Sequence, residues 1–197
     1  VKKGGVLELD GQGANFVTFN NDSGLIPIGA SSFTIEAWIN PTSIPAGGTS
    51  GGQITFWGNQ SGNQANGFRM RGNQGLRHYF WGNDHDANTS EDMLGDTTGL
   101  NGDGWHHLAL SYNADTTNST FFHNGISIGT QHRHAGVNVA DANYRIGSRL
   151  DNREFFHGYI DELRVWSSAR SDSEILSNFN SQINPSSSDL VAYYQFE

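Results

Sequence analysis

A chain of 197 residues with 25 Gly, 12% aromatic and only 16% charged residues is too poor in charge for a helical bundle and too rich in aromatics for a disordered segment. It has no Cys, which excludes a disulfide scaffold, Cys-ligated zinc, iron–sulfur clusters and thiol catalysis. Twenty acidic against 11 basic residues give a formal charge of −9, which repels a phosphate backbone and makes nucleic acid a poor partner.

The length suits one β domain spanning 1–197. No apolar run approaches the ~18 residues of a membrane span. The start at Val1-Lys2-Lys3, without Met, reads as a domain cut from a larger precursor with further domains.

Short apolar-alternating runs then follow one another between clusters of Gly, Asn, Asp and Ser. In order they are Val6–Leu9, Asn15–Phe19, Phe33–Asn40, Gln53–Trp57, Phe68–Arg71 and Leu76–Trp81, then Trp105–Tyr112, Thr120–His123, Ile126–Thr130, Tyr144–Ile146, Phe155–Trp166 and Leu190–Phe196. Many short strands separated by turn residues predict a sandwich or barrel. Asn124-Gly125, between Phe121-Phe122-His123 and Ile126-Ser127-Ile128, predicts a two-residue hairpin turn, because both positions tolerate positive φ. Ser171-Asp172-Ser173-Glu174 fits a capping box and opens one short helix, with Ile175, Leu176 and Phe179 as its apolar face.

Several motifs also stand in a fixed order. Val6-Leu7-Glu8-Leu9-Asp10-Gly11 is followed by Phe33-Thr34-Ile35-Glu36-Ala37-Trp38-Ile39 and by Gly104-Trp105-His106-His107-Leu108-Ala109-Leu110. Then come Phe122-His123-Asn124-Gly125, Arg145-Ile146-Gly147 and Phe156-His157-Gly158-Tyr159-Ile160-Asp161-Glu162-Leu163-Arg164-Val165-Trp166, and the chain closes on Leu190-Val191-Ala192-Tyr193-Tyr194. Across its whole length the sequence resembles the laminin-G-like branch of the concanavalin A-like lectin/glucanase superfamily. The resemblance implies an all-β, two-sheet antiparallel jelly-roll sandwich with one short helix near the C-terminus. It also implies an extracellular or cell-surface setting, with a glycan or a protein as partner.

The resemblance further implies a structural Ca2+ pinning the first strand to a late one. The matching positions are Asp10 and Asp161, with Asn15 as an added oxygen donor; alternatively, Asp10 only closes an Asx-turn ahead of Gly11. The acidic loop holding Asp84, Asp86, Glu91, Asp92 and Asp96 is a second calcium candidate. Nothing predicts catalysis. There is no Glu-x-Asp-x-x-Glu strand, and the adjacent Asp161 and Glu162 would point to opposite faces of a strand.

Strand parity points to a binding face. If Ile54, Phe56, Phe68, Met70, Leu76, His78 and Phe80 face the core, one outer surface carries Trp57, Arg69, Arg71, Arg77, Tyr79 and Trp81. Flat rings stack on sugar C–H faces, and guanidiniums bond hydroxyls or pair with carboxylate and sulfate groups. His134, alternating with His132, is a further candidate contact, whereas His106-His107 belongs to a structural strand motif. The expected function is therefore a non-catalytic carbohydrate-binding module of a secreted or cell-surface protein, with a polysaccharide as partner. The arginines favour an anionic polysaccharide at contact, although the net charge opposes its approach. If the loops at 41–52, 58–66 and 82–103 cover the aromatics, the alternative is an adhesion or spacer domain; a polysaccharide-degrading enzyme is a more remote one.

Overall fold

Alternation of apolar and polar residues builds almost every element of the chain. The structure, a computed structural model, describes residues 4–13, 15–43, 51–72, 75–81, 84–87, 104–132 and 136–197. The strands are β1 (Leu7–Asp10), β2 (Val17–Thr18), β3 (Phe33–Pro41), β4 (Gln53–Gly58), β5 (Ala65–Arg71), β6 (Gly75–Tyr79) and β7 (His85–Ala87). They continue with β8 (His106–Asn113), β9 (Asn118–His123), β10 (Ile126–His132), β11 (Arg145–Ile146), β12 (His157–Trp166) and β13 (Leu190–Tyr194), and helix α1 (Asp172–Asn178) lies between β12 and β13.

The strands pair antiparallel in two sheets. One runs β1-β12-β3-β8-β9-β10, with β13 also on β12; the other runs β2-β11-β4-β5-β6-β7. The nearly all-β sandwich with one short helix is the architecture expected from the sequence. Its core lies between the sheets. Ile35, Ala37 and Ile39 of β3, Leu108 and Leu110 of β8, and Phe121 of β9 meet Ile54 of β4, Phe68 and Met70 of β5, and Leu76 of β6. Each such side chain removed from water contributes roughly 1.5–3 kcal/mol.

The predicted turn and helix are both present. Asn124 and Gly125 have φ of 49° and 80°. A Cβ on Gly125 would fall 2.6 Å from the Phe179 ring, so close packing as well as backbone conformation demands glycine there. Ser171 caps α1 in a capping box with Glu174, and Ile175 buries against Ala109 and Phe122.

The helix therefore covers the outer face of the seven-stranded sheet, which is sealed by a polar network. Glu36 accepts from Trp166 Nε1 at 2.5 Å and lies 3.1 Å from His107 Nε2. Burial alone would raise the Glu36 pKa; the His107 hydrogen bond and the nearby positive charges hold it below the ordinary carboxylate value. Beside it, Arg164 donates to Glu162 at 2.8 Å and to the Ser181 carbonyl at 3.0 Å. The structural reading of His107 fits this role. Among the described residues no helix packs on the outer face of the six-stranded sheet.

Candidate functional site

On that second outer face, strand register lines up one polar row. Gln53 on β4 stands opposite Arg69 on β5, Arg69 opposite Arg77 on β6, and Arg77 opposite Asp86 on β7. The next row on the same face is Phe56, Gly67 and Tyr79. Two arginines directly across a strand pair repel each other. Carboxylates relieve the repulsion from both sides. Arg77 grips Asp86 with two hydrogen bonds, at 2.5 and 2.6 Å, and reaches Asp84 at 2.8 Å. Arg69 lies 3.1 Å from Glu154.

Glu154 belongs to the segment between β11 and β12, which folds over this face. Its Oε2 accepts the Gly51 N–H at 2.6 Å, and its carbonyl accepts from Gln53 N at 2.8 Å. A Cβ on Gly51 would sit 1.8 Å from the Met70 carbonyl oxygen, so only glycine allows this approach. In the same segment Arg149 forks onto Asp151 at 2.7 and 2.6 Å, and its guanidinium lies 5.4 Å from the Tyr79 ring centroid and 5.2 Å from that of Trp81. Three non-glycine residues around the site have positive φ: Trp81 at 67°, Asn152 at 56° and Glu154 at 58°. For bulky or charged residues such backbone conformations are costly and cluster where surrounding structure enforces them.

Together these elements enclose a cavity of about 720 Å³. Arg69, Arg71 and Arg77 form its floor, and Arg149, Asn152, Arg153, Glu154 and Phe155 form its wall. Burial lowers the pKa of Arg69, against the opposing effect of Glu154; burial and the neighbouring Arg77 do the same to Arg71. Burial would also lower Arg77, but its Asp86 hydrogen bonds more than offset this. Burial likewise raises the Tyr79 phenol.

The structure places the expected contact residues as follows. Arg69, Arg71, Arg77 and Tyr79 share the outer face, and Trp81 packs edge-on to Tyr79 with ring centroids 5.4 Å apart. Tyr79 is nevertheless only 9% exposed, with Arg69 4.6 Å from its ring centroid on one side and Arg149 near the other partner ring, Trp81. The half-buried ring that lines the cavity is Phe155.

Trp57 requires correction: it points inward, fully buried in the core, where its Nε1 donates to the Pro27 carbonyl at 2.8 Å. The cause is a bulge in β4. Gln53 pairs with Arg69 but Thr55 with Phe68, so one extra residue reverses the parity of everything after it. Phe56 accordingly lies outside with Tyr79. His134 lies outside the described residues, while His132 bonds locally to the Thr116 carbonyl at 2.8 Å.

The expected calcium ligands also do not come together. The residue opposite Asp10 is His157, which places Asp161 four positions further along β12, about 13 Å away. Asp10 instead accepts the Gln12 N–H at 2.8 Å, as in an Asx-turn, and Asp161 is buried and accepts the Glu162 N–H at 2.8 Å. Asn15 donates its backbone N–H to the Gln12 carbonyl at 3.2 Å. Among the described residues no group of three or more carboxylate and imidazole side chains could hold a metal ion. In the acidic loop, Asp84 and Asp86 are held by Arg77, and Glu91, Asp92 and Asp96 lie outside the described residues.

Strand parity could not reach Arg149, Asn152, Arg153, Glu154 and Phe155, which sit in an irregular segment. The available signal was local density: two Arg, an Asp and a Glu within Arg149–Glu154.

Comparison with known proteins places this geometry in a wider fold. A candidate carbohydrate-binding protein from Bacteroides ovatus superposes with a TM-score of 0.65 at 21% identity, covering 86% of this chain and 47% of that one, so the chain spans about half its length. The CBM40 domain of the Ruminococcus gnavus IT-sialidase, bound to α2,3 sialyllactose, superposes with a TM-score of 0.64 at 16% identity over 88% of this chain and 96% of that one. Domain 4 of an extracellular arabinanase from Geobacillus stearothermophilus, in complex with arabinotriose, gives 0.57 at 20% identity over 88% and 81%. No curated protein matches by sequence. Residues 10–176 match the family profile described as the concanavalin A-like lectin/glucanases superfamily, and the chain belongs to its laminin-G-like branch.

Proposed function

We propose that the chain is a non-catalytic carbohydrate-binding module of a secreted or cell-surface protein, which seats a glycan in the cavity on the outer face of the six-stranded sheet. The observation that carries this reading is the cavity itself. Its volume of about 720 Å³ suits a small-molecule site, and its arginines present hydrogen-bond donors beside the half-buried ring of Phe155. Guanidinium forks bond sugar oxygens, and a ring face receives sugar C–H groups. Three structural relatives are described as carbohydrate-binding or contain a bound sugar, which supports the same reading.

The non-catalytic part rests on the carboxylates. Glu154 pairs with Arg69, Asp84 and Asp86 with Arg77, and Asp151 with Arg149. A glycosidase needs one carboxyl free to hand over a proton and a second placed across the scissile bond. Among the described residues each carboxylate at the cavity is engaged by an arginine.

Affinity electrophoresis of the folded chain in gels containing neutral, carboxylated and sulfated polysaccharides tests the proposal, alongside an assay for released reducing ends. Retardation by at least one polysaccharide without release of reducing ends is expected. A folded chain that none of them retards would leave the adhesion or spacer reading in its place.

A further inference from the structure

Among the described residues, charge around the cavity does not balance. Five guanidiniums line it, those of Arg69, Arg71, Arg77, Arg149 and Arg153. Among the described residues four carboxylates pair with them: Glu154, Asp84, Asp86 and Asp151. The shortfall falls on two arginines. Asp86 is taken up by Arg77 at 2.5 and 2.6 Å, which leaves Arg71 only long contacts to it, at 3.4 and 3.5 Å. Asp151 is taken up in the same way by Arg149, which leaves Arg153 3.8 Å from it.

Arg71 is the informative one. Its side chain is 5% exposed, and among the described residues its Nε–H has no hydrogen-bond partner; the Nε–H of the neighbouring Arg69 is also unmet. A buried charged donor without an acceptor is costly, so such groups mark a place where an acceptor belongs. Arg153, in contrast, is 74% exposed and stands on the wall of the same cavity. One cation on the floor and one at the rim therefore line the same space, both short of an anion among the described residues.

We infer that the glycan is acidic, and that a carboxylate or sulfate group on it seats between Arg71 and Arg153. The inference rests on the carbohydrate-binding reading and narrows it. Carboxylate and sulfate share the chemistry used here, a negative group with several acceptor oxygens, and the donors left unmet on Arg71 and Arg69 can serve either. The overall charge of −9 does not contradict this, because net charge governs the rate of encounter while local pairing governs contact.

Affinity electrophoresis with matched polymers tests it. Polygalacturonate is set against its methyl ester, and sulfated carrageenan against neutral agarose, with arabinan as a further neutral glycan. Retardation by the acidic member of at least one pair and not by its neutral counterpart is expected, and which pair responds identifies the anion. The interaction should weaken steeply with added salt. Arg71→Gln and Arg153→Gln should each weaken it about tenfold or more, as expected for loss of a charge-assisted hydrogen bond. Arg153 is exposed, so its variant decides the matter even if Arg71→Gln fails to fold. Equal retardation within both pairs, or retardation by neutral polymers alone, would overturn the acidic ligand and leave the module a glycan binder. Retardation by none would remove both readings. Selective retardation untouched by Arg153→Gln would overturn the assignment to this cavity.

Discussion

Trp57 shows how a single side chain can change meaning with its environment. On a solvent face it would be a platform for sugar; in the core it is a packing unit with one satisfied N–H. Trp57→Ala is therefore expected to cost about 3–5 kcal/mol of stability through the cavity it leaves. In urea unfolding this appears as a lower midpoint; a midpoint unchanged from the parent chain would contradict the buried placement. Ser119 is a second case. Its hydroxyl lies 2.7 Å from Nδ1 of both His78 and His85. A hydroxyl has one proton to give, so at most one imidazole can accept from it, and at least one of the two rings carries its proton on Nδ1 and donates to Ser119.

The helix is the element most completely written in the sequence. Ser171, Glu174 and Ile175 announced the cap, the reciprocal bond and the buried face, because each acts within a few residues. Ser171→Ala should cost about 1 kcal/mol, read as a lower melting temperature with the far-ultraviolet spectrum otherwise retained; no change would mean the cap contributes nothing beyond Ile175 packing. Strands β5 and β6 were equally legible, since unbroken alternation put Arg69, Arg71, Arg77 and Tyr79 on one face. Strand β4 was not, because a bulge is set by pairing with the neighbouring strand and leaves no mark in a six-residue run. The separation of Asp10 from Asp161 was hidden for the same kind of reason: the register of β1 on β12 is a long-range property, and it puts His157 opposite Asp10. Half of the cavity lining was hidden too, because Arg149 to Phe155 is positioned by ion pairs and positive-φ turns, which have no period to read.

At the scale of the molecule, buried imidazoles make the fold sensitive to acid. Burial, reinforced by His85, pushes His78 well below the ordinary value of 6.5. Burial and the neighbouring His106 and His107 bring His123 down to about 4. In the unfolded chain these groups take up protons near 6.5. Their contribution to stability is therefore complete above about 6.5 and is lost as the pH falls from there toward 4. Glu36 and Glu162, held below the ordinary 4.5, add their own loss at lower pH. The urea midpoint should fall between pH 6.5 and pH 4, before most carboxylates titrate; a midpoint level across that range would mean the imidazoles are not protected as described.

The two outer faces of the sandwich differ in this respect as in others: one is closed by α1 and the other carries the cavity. Two arginines on the cavity face are braced before any ligand arrives, Arg77 by two carboxylates and Arg149 by a fork onto Asp151. Little rotamer entropy remains to be lost when something docks. The same bracing limits adaptation, so a sugar of the wrong outline meets side chains that cannot swing aside to admit it.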